Sequence, residues 1–255
     1  MATPIIQVEN LRIGYGIHVL LDNLSFDVEQ GEILAILGGS GCGKSTLMKN
    51  MIGLYTPLAG RVLIDGEDIA QADGRQRRAI LRKFGVTYQM GALFGSMSLL
   101  ENVRLPLEAH TDLPTEAIDL IARMKLQMVG LAQAAGKIPA ELSGGMQKRA
   151  AIARAMALDP KILFLDEPSA GLDPITSAGL DQLIATLART LGMTFVIVTH
   201  ELASIFAIAD RVVMLDNQSK GIIAFGEPAQ LRDQSDHPWV RQFFNREPSS
   251  ADAFK

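Results

Sequence analysis

The chain has 255 residues, of which 48% are hydrophobic and only 5% aromatic. This length and composition favour one domain with an aliphatic α/β interior and exclude a disordered protein. The net charge of −4 disfavours nucleic acid as a partner, and the single cysteine, Cys42, excludes an internal disulfide framework.

The first third of the chain is predicted to form mostly strands. An apolar strand over residues 61–64 runs into Asp65-Gly66, a typical hairpin turn. Residues 32–37 form a second apolar strand that ends at Gly38, and a helix follows over residues 45–52, closed by Gly53. The order is therefore strand, glycine loop, helix.

Between residues 90 and 159 the apolar residues recur at helical spacing, which predicts a helical insertion. Within it, Ser143 begins an Ala-rich helix that we expect Asp159-Pro160 to end. Residues 162–165 and 195–198 then predict buried parallel strands, each followed by a helix.

The C-terminal part of the chain begins with a predicted closing hairpin, formed by residues 211–215 and 221–225. Residues 228–255 form a polar tail with one apolar cluster. Within that cluster Trp239, Phe243 and Phe244 share a helical face.

A glycine-rich loop lies between the predicted strand and helix and matches the pattern G-x-x-x-x-G-K-[ST]. Its glycines let successive backbone N–H groups point at phosphates, and the helix beginning near Lys44 adds its positive end. Lys44 is expected to reach the β and γ phosphates, and Ser45 to bind Mg²⁺. The predicted nucleotide-binding residues here are Gly38, Gly39, Ser40, Gly41, Cys42, Gly43, Lys44, Ser45 and Thr46.

Two carboxylates, Asp166 and Glu167, end the apolar strand at residues 162–165. Open α/β sheets place their ligands at the carboxyl ends of strands, and adjacent strand residues face opposite ways. We therefore expect Asp166 to face Mg²⁺ and Glu167 to face the attacking water. The alternative for this pair alone is a solvated turn.

A second helix start, at Ser143, Gly144 and Gly145, has the composition that holds an anion on backbone N–H groups. The alternative is an ordinary capped helix.

These motifs, in this order and with His200 after the next strand, resemble an ABC transporter nucleotide-binding domain over residues 5–230. The resemblance implies an α/β fold: an ABC-type P-loop NTPase core with a mixed sheet of parallel central strands, an antiparallel N-terminal β-subdomain and an inserted α-helical lobe. It implies a domain over residues 1–227, with its core lobe at 1–89 and 160–227 and its helical lobe at 90–159, followed by a tail over 228–255.

The resemblance also assigns roles and cofactors, which are ATP and Mg²⁺. Tyr15 corresponds to the aromatic residue that stacks on adenine, Gln89 to the glutamine that reaches Mg²⁺ and the water, and His200 to the histidine at the γ-phosphate. Ser143, Gly144 and Gly145 would bind the nucleotide held by a second copy in a head-to-tail dimer, and residues 169–173 would link the two sites. The implied catalytic residues are Glu167, His200, Gln89 and Lys44, and the implied metal ligands are Ser45, Gln89 and Asp166.

Several of these positions have plainer interpretations when taken alone. Tyr15 is then a half-buried strand residue and His200 a capped core histidine. Gly39 departs from the family, which often has proline there. For Cys42 the two alternatives are a redox switch and a variable loop position, and the second is the stronger interpretation. The basic run over residues 75–83 is interpreted as a solvated helix face, with a contact to anionic lipid as the alternative.

The segment from Gln89 to Ser98, with residues 101–103 and 105–111, resembles more narrowly the ATPases of Mla-type lipid transporters, as does the ending from His237 to Phe244. That resemblance implies that an integral membrane permease docks near residues 90–111. It also implies an MCE-domain lipid-binding protein as a further partner, and it leaves open whether a small STAS-type subunit joins them. The apolar residues of the segment alternatively pack the helical lobe. The tail either reaches the partner subunit or caps its own core.

The expected function is that of the ATP-hydrolysing subunit of a transporter for phospholipid or a related lipid in the bacterial envelope, peripheral at the cytoplasmic face of the inner membrane. Residues 1–10 carry no basic stretch followed by an apolar one, so we expect no secretory signal, and no apolar run approaches the roughly 18–20 residues that cross a bilayer. The main alternative is the ATPase of an importer for a polar solute such as an amino acid. An ABC ATPase of translation or DNA repair and a regulatory ATP sensor are the rivals from other classes.

Overall fold

A computed structural model describes residues 4–89 and 91–247 of the chain. Met90, in the expected docking segment, and the tail residues from 248 onwards lie outside this part. The strands are β1 (Ile6–Tyr15), β2 (His18–Val28), β3 (Ile33–Gly38), β4 (Ala59–Ile64), β5 (Glu67–Asp68), β6 (Phe84–Thr87), β7 (Ile162–Asp166), β8 (Thr194–Val198), β9 (Arg211–Asp216) and β10 (Gly221–Gly226). The helices are α1 (Lys44–Met51), α2 (Gly74–Leu81), α3 (Leu99–His110), α4 (Thr115–Met128), α5 (Gly144–Ala155), α6 (Pro174–Leu191), α7 (Leu202–Ile208), α8 (Pro228–Gln234) and α9 (Pro238–Asn245).

The chain divides into two compact units. Within the described residues, the first comprises residues 4–72 and 198–247, and the second comprises residues 73–89 and 91–197. The boundaries of these compact units differ from those of the core and helical lobes expected from the resemblance. The lobes therefore stay a prediction.

The first unit contains an antiparallel sheet with the strand order β2-β1-β4-β5, as expected for the N-terminal part. In β1 the buried residues are Ile6 and Val8, then Leu11 and Ile13, so the alternation slips by one residue between the two pairs. The register shifts there, and Asn10 adopts a positive φ of 46°. This bulge keeps both pairs on the core face.

The first unit also contains β3, whose six residues are all buried. It pairs in parallel with β9, and β9 pairs antiparallel with β10, so the predicted closing hairpin is confirmed. The glycine loop and α1 follow β3 directly. The order strand, glycine loop, helix is therefore confirmed.

The tail packs on the core of its own unit. Val240 and Phe244 of α9 are buried in a cluster with Leu37 of β3 and Met214 of β9. The neighbouring Trp239 lies beside the glycine loop, where a Cβ added to Gly39 would be 3.7 Å from its ring. The described helix α9 therefore caps the core of its own unit, which is one of the two arrangements considered for the tail.

In the second unit β7 lies between β6 and β8, and β6 pairs with it in parallel. Every residue of β8 is buried, as are the four apolar residues of β7, so the prediction of buried strands is confirmed. The unit carries helices α2 to α6, and three of them, α3, α4 and α5, come from the predicted helical insertion. None of the helices in the described parts of the chain is long and apolar enough to cross a membrane.

Helix α5 begins after Ser143 as predicted but ends at Ala155, so the predicted end at Asp159-Pro160 is wrong. The N–H of Met156 still donates to the carbonyl of Ile152, but the N–H of Ala157 donates to the carbonyl of Arg154, only three residues back. Asp159 has a φ of 50°, outside the helical region that the following proline also disfavours for it. The chain therefore turns before the proline is reached.

Candidate active site

The phosphate loop connects β3 to α1 through glycines in conformations that other residues rarely adopt. Gly38, Gly41 and Gly43 have φ angles of 150°, 75° and 104°. A Cβ added to Gly38 would also lie 2.6 Å from the carbonyl oxygen of Leu215. Glycine is required at this position both by the backbone angle and by the close approach of β9.

Lys44, the first residue of α1, folds over this loop. Its Nζ donates hydrogen bonds to the carbonyl oxygens of Gly38 at 2.8 Å and Gly39 at 3.0 Å. Ser45 and Thr46 follow in the first turn, whose backbone N–H groups point towards the N-terminal end of the helix. A cation beside a ring of such donors fits the phosphates of a nucleotide.

Cys42 is buried within the loop. Burial raises the pKa of its thiol above the usual value, although the charge of Lys44 acts in the opposite direction. Only the thiolate reacts, so a buried thiol with a raised pKa is a poor redox switch. The structure therefore argues against a redox switch at Cys42.

Tyr15 is the last residue of β1 and is 56% exposed, as the interpretation of a half-buried strand residue also expects. Its hydroxyl lies 3.1 Å from Oγ1 of Thr46, and its ring meets Tyr55 edge to face with the centroids 6.0 Å apart. The hydrogen bond sets the ring beside the helix that carries Lys44. Such an exposed aromatic face is suited to stacking on a base.

His200 lies in the turn after β8 and is exposed, so it is not a capped core histidine. The preceding Thr199 fixes that turn, because its N–H donates to the carbonyl of Ile36 in β3 and its hydroxyl accepts from the N–H of Glu201. The side chain of His200 is therefore presented from a turn anchored to the strand that leads into the phosphate loop.

In the second unit β7 ends at Asp166, and the next residue, Glu167, has a φ of 48°. For a residue with a side chain the left-handed region costs about 1–2 kcal/mol. The N–H of Ala170 donates to the carbonyl of Glu167 at 3.2 Å and helps to hold this turn. Strain of this kind is concentrated at functional sites.

Lys148 of α5 contacts this turn and was missed from the sequence. Its Nζ donates to the carbonyl oxygens of Gln89 and of Glu167, the latter at 3.3 Å. Burial lowers the pKa of Lys148, while the carboxylates of Glu167 and Asp166 act to raise it. The sequence signal that could have identified Lys148 is its position four residues after Gly144, which places both on the same face of the helix.

The glycines at the start of α5 are explained by packing as well as by the predicted binding of an anion. Ser143 caps α5 by accepting from the N–H of Met146. A Cβ on Gly145 would lie 2.4 Å from Cγ2 of Thr176 in α6. Thr176 cannot simply rotate away, because its hydroxyl donates to Asp173. Gly145 therefore permits the close approach of α5 and α6.

Asp173 caps α6 at the end of the loop over residues 169–173. Its carboxylate accepts from Thr176 and from the N–H of Ile175, and these hydrogen bonds hold the pKa of Asp173 below its usual value. This side chain stays ionised down to a lower pH than a free aspartate does.

Each unit brings part of the predicted set together. In the first unit Tyr15 contacts the helix of the phosphate loop. In the second unit Gln89 and Glu167 meet at Lys148, and the residues from Ser143 to Gly145 adjoin α6. The roles of these residues stay a prediction.

The predicted metal ligands are a hydroxyl, an amide and a carboxylate, from Ser45, Gln89 and Asp166 respectively. Such oxygen donors suit Mg²⁺, which takes one or two carboxylates plus substrate phosphates rather than a cage of protein ligands. Among the described residues no three His, Cys, Asp or Glu side chains gather as a metal site. The donors present fit Mg²⁺ bound together with a nucleotide.

Comparisons with known proteins agree with this geometry. The profile of the family described as ABC transporter matches residues 21–170. The chain is 41% identical, over 100% of its length and 96% of the relative, to the intermembrane phospholipid transport system ATP-binding protein MlaF of Haemophilus influenzae. It is 42% identical, over 94% of its length and 68% of the relative, to a probable ribonucleotide transport ATP-binding protein, mkl, of Mycobacterium leprae. Among solved structures, the dimeric post-hydrolysis state of the ATP-binding cassette MJ0796 with ADP and Pi aligns with a TM-score of 0.78 and 31% identity, covering 87% of this chain and 98% of that one.

Proposed function

This chain belongs to the ABC transporter family, and from that premise we propose that it hydrolyses ATP to power a transporter that moves phospholipid between the membranes of the bacterial envelope. The observation that carries the lipid assignment is the extent of the match to MlaF. That match includes the docking segment and the tail as well as the phosphate loop, since it covers the whole chain.

ATP binding is assigned to residues of the first unit. Tyr15 stacks on the adenine ring, and the N–H groups from Gly38 to Thr46 surround the phosphates. Lys44 exchanges its hydrogen bonds to the loop carbonyls for the β and γ phosphate oxygens. Its starting position, within 3.0 Å of two loop carbonyls, supports this role.

Hydrolysis is assigned to Glu167, which accepts a proton from the attacking water and aligns it with the γ-phosphate. Ser45, Asp166 and Gln89 hold Mg²⁺, which neutralises charge on the phosphate oxygens when bound. His200 donates a hydrogen bond to the γ-phosphate. The supporting observations are the strained backbone of Glu167 and the anchored turn that carries His200.

A second copy of the chain completes the reaction in this proposal. Ser143, Gly144 and Gly145 of one copy bind the γ-phosphate held by the other. The exposed capped start of α5 supports this assignment, as does the dimeric state of the cassette MJ0796.

We assign permease docking to the segment over residues 91–111. Asn102 is fully buried and fixes the loop before α3, because its side chain bonds to both backbone groups of Phe94 and to the carbonyls of Met97 and Ser98. Phe94 is 45% exposed, whereas Leu99 is fully buried, so the loop divides its apolar residues between a surface and the core. An adjacent groove of about 270 Å³ is lined by residues that include Tyr88, Pro106, His110 and Leu158.

A rigid loop with exposed Phe94 beside a groove suits a helix from an integral membrane partner. Docking there would hold the chain at the cytoplasmic face of the inner membrane. The remaining proposed partners are an MCE-domain lipid-binding protein and, as an open possibility, a STAS-type subunit.

Transport of a polar solute is the second candidate, and the relative described as a ribonucleotide transport protein favours it. That relative is covered over only 68% of its length, against 96% for MlaF. Both candidates use the same ATPase chemistry and differ in the proteins that accompany it.

The test is to purify the full-length chain with its partners from gently solubilised membranes, and to identify proteins and bound small molecules by mass spectrometry. A permease together with an MCE-domain protein and enriched phospholipid supports lipid transport. A permease with a solute-binding protein and no enriched lipid refutes it in favour of the polar solute.

A further inference from the structure

We propose that Lys148 is a positioning residue for ATP hydrolysis, whose ammonium group fixes the backbone of Glu167 and of Gln89 and thereby sets where their side chains point. The inference rests on the proposed ATPase function and adds a residue to its machinery. Lys148 contacts neither nucleotide nor metal in this proposal and acts only through those two residues.

The contacts of Lys148 carry the proposal. A single Nζ donates to the carbonyl oxygen of Gln89, directly after β6, and to the carbonyl oxygen of Glu167, directly after β7. An ammonium group has three donors, so one group can serve both acceptors at once. Two segments more than 70 residues apart in sequence are therefore held by one side chain.

Glu167 needs such support because its backbone is strained. Its φ of 48° lies in the left-handed region, which residues with a side chain occupy only when their surroundings hold them there. Two donors converge on its carbonyl, the N–H of Ala170 at 3.2 Å and the ammonium of Lys148 at 3.3 Å. Removing one of them leaves the turn free to relax and carry the carboxylate with it.

Gln89 needs support for another reason. It lies in an exposed loop, and the nearest backbone hydrogen bond runs from the N–H of Gly91 to the carbonyl of Tyr88, across Gln89. The bond from Lys148 therefore attaches this turn to α5, whose first residues are Gly144 and Gly145. The same cation lies near two carboxylates, where it offsets the repulsion between them.

The test measures kcat and the ATP dissociation constant of the full-length protein in separate experiments. For Lys148→Met we expect kcat to fall about 10- to 100-fold, the effect of misplacing reacting groups, while the ATP dissociation constant changes less than about threefold. We expect Lys148→Arg to recover most of the loss, because a guanidinium also donates to two carbonyls.

Arg149 provides a matched control on the same helix. It too donates to two carbonyl oxygens, those of Val129 at 3.4 Å and Gly179 at 3.0 Å, but to neither Gln89 nor Glu167. Arg149→Met should lower the unfolding temperature with kcat close to wild type. Hydrogen exchange adds a structural readout, since the amide of Ala170 should exchange faster in Lys148→Met than in Arg149→Met.

Three results would overturn the proposal. One is Lys148→Met with kcat within twofold of wild type. Another is a loss of kcat that Lys148→Arg does not recover, and the third is an equal loss in Arg149→Met. If Lys148→Met does not fold, Lys148→Gln replaces it: its amide can serve one carbonyl, so its kcat should lie below wild type, and wild-type kcat there also refutes the idea. Failure of the ATPase function itself would be distinguishable, because the wild-type protein would then have no turnover.

Discussion

Phe244 gives the sharpest test of how the tail is held. Its side chain is 4% exposed and packs with Val240 against Leu37 and Met214. Its ring also meets Phe206 edge to face at 5.7 Å between centroids. Phe244→Ala removes that ring and leaves the rest of α9 unchanged.

The magnitude follows from burial. Truncating a buried phenylalanine to alanine costs about 3–5 kcal/mol, which includes the cavity left behind. Val240, the other fully buried residue of α9, contributes only about 1.5–3 kcal/mol. An eight-residue helix is not stable alone in water. We therefore expect α9 to detach and the free energy of unfolding to fall by about 3 kcal/mol.

The assay uses the single tryptophan of the chain, Trp239, which lies on α9 beside Gly39. In Phe244→Ala its emission should move to longer wavelength and acrylamide should quench it more strongly, while urea unfolding followed by circular dichroism gives the stability loss. Arg241→Ala, an exposed position on the same helix, is the control and should change neither signal. Wild-type emission and quenching in Phe244→Ala would refute the docking argument.

Three further predictions concern the nucleotide site. Glu167→Gln should keep ATP affinity and abolish turnover, since the amide cannot accept the proton; substantial remaining hydrolysis would remove Glu167 from that role. Lys44→Ala should lose nucleotide affinity by about 1.5–3 kcal/mol, the value of hydrogen bonds to a charged group, and unchanged binding in equilibrium dialysis would contradict the assignment. Gly38→Ala should lose both ATP binding and stability, because its Cβ would lie 2.6 Å from the carbonyl of Leu215, whereas Gly39→Ala should retain both. Equal effects of the two glycine variants would show that the loop relaxes.

Local patterns in the sequence predicted the parts of this protein that depend on neighbours along the chain. The glycine loop between strand and helix, the cap at Ser143 and the hairpin at Asp65-Gly66 all depend on residues a few positions apart. The predicted end of α5 was wrong. The helix stops at Ala155, because the N–H of Ala157 bonds to the carbonyl of Arg154 three residues back, before the proline from which the end was predicted.

The family could be identified from the sequence alone, because the phosphate loop with Lys44 and the carboxylates Asp166 and Glu167 are local motifs. The tertiary structure decided which residues support those motifs. Lys148 reaches Gln89 and Glu167 across 59 and 19 positions, and Gly145 makes room for Thr176 across two helices. Trp239 meets the phosphate loop from the far end of the chain. Such contacts join segments that are distant in sequence. They form only when the packing of strands and helices brings those segments together and offsets the entropy lost in closing the chain between them.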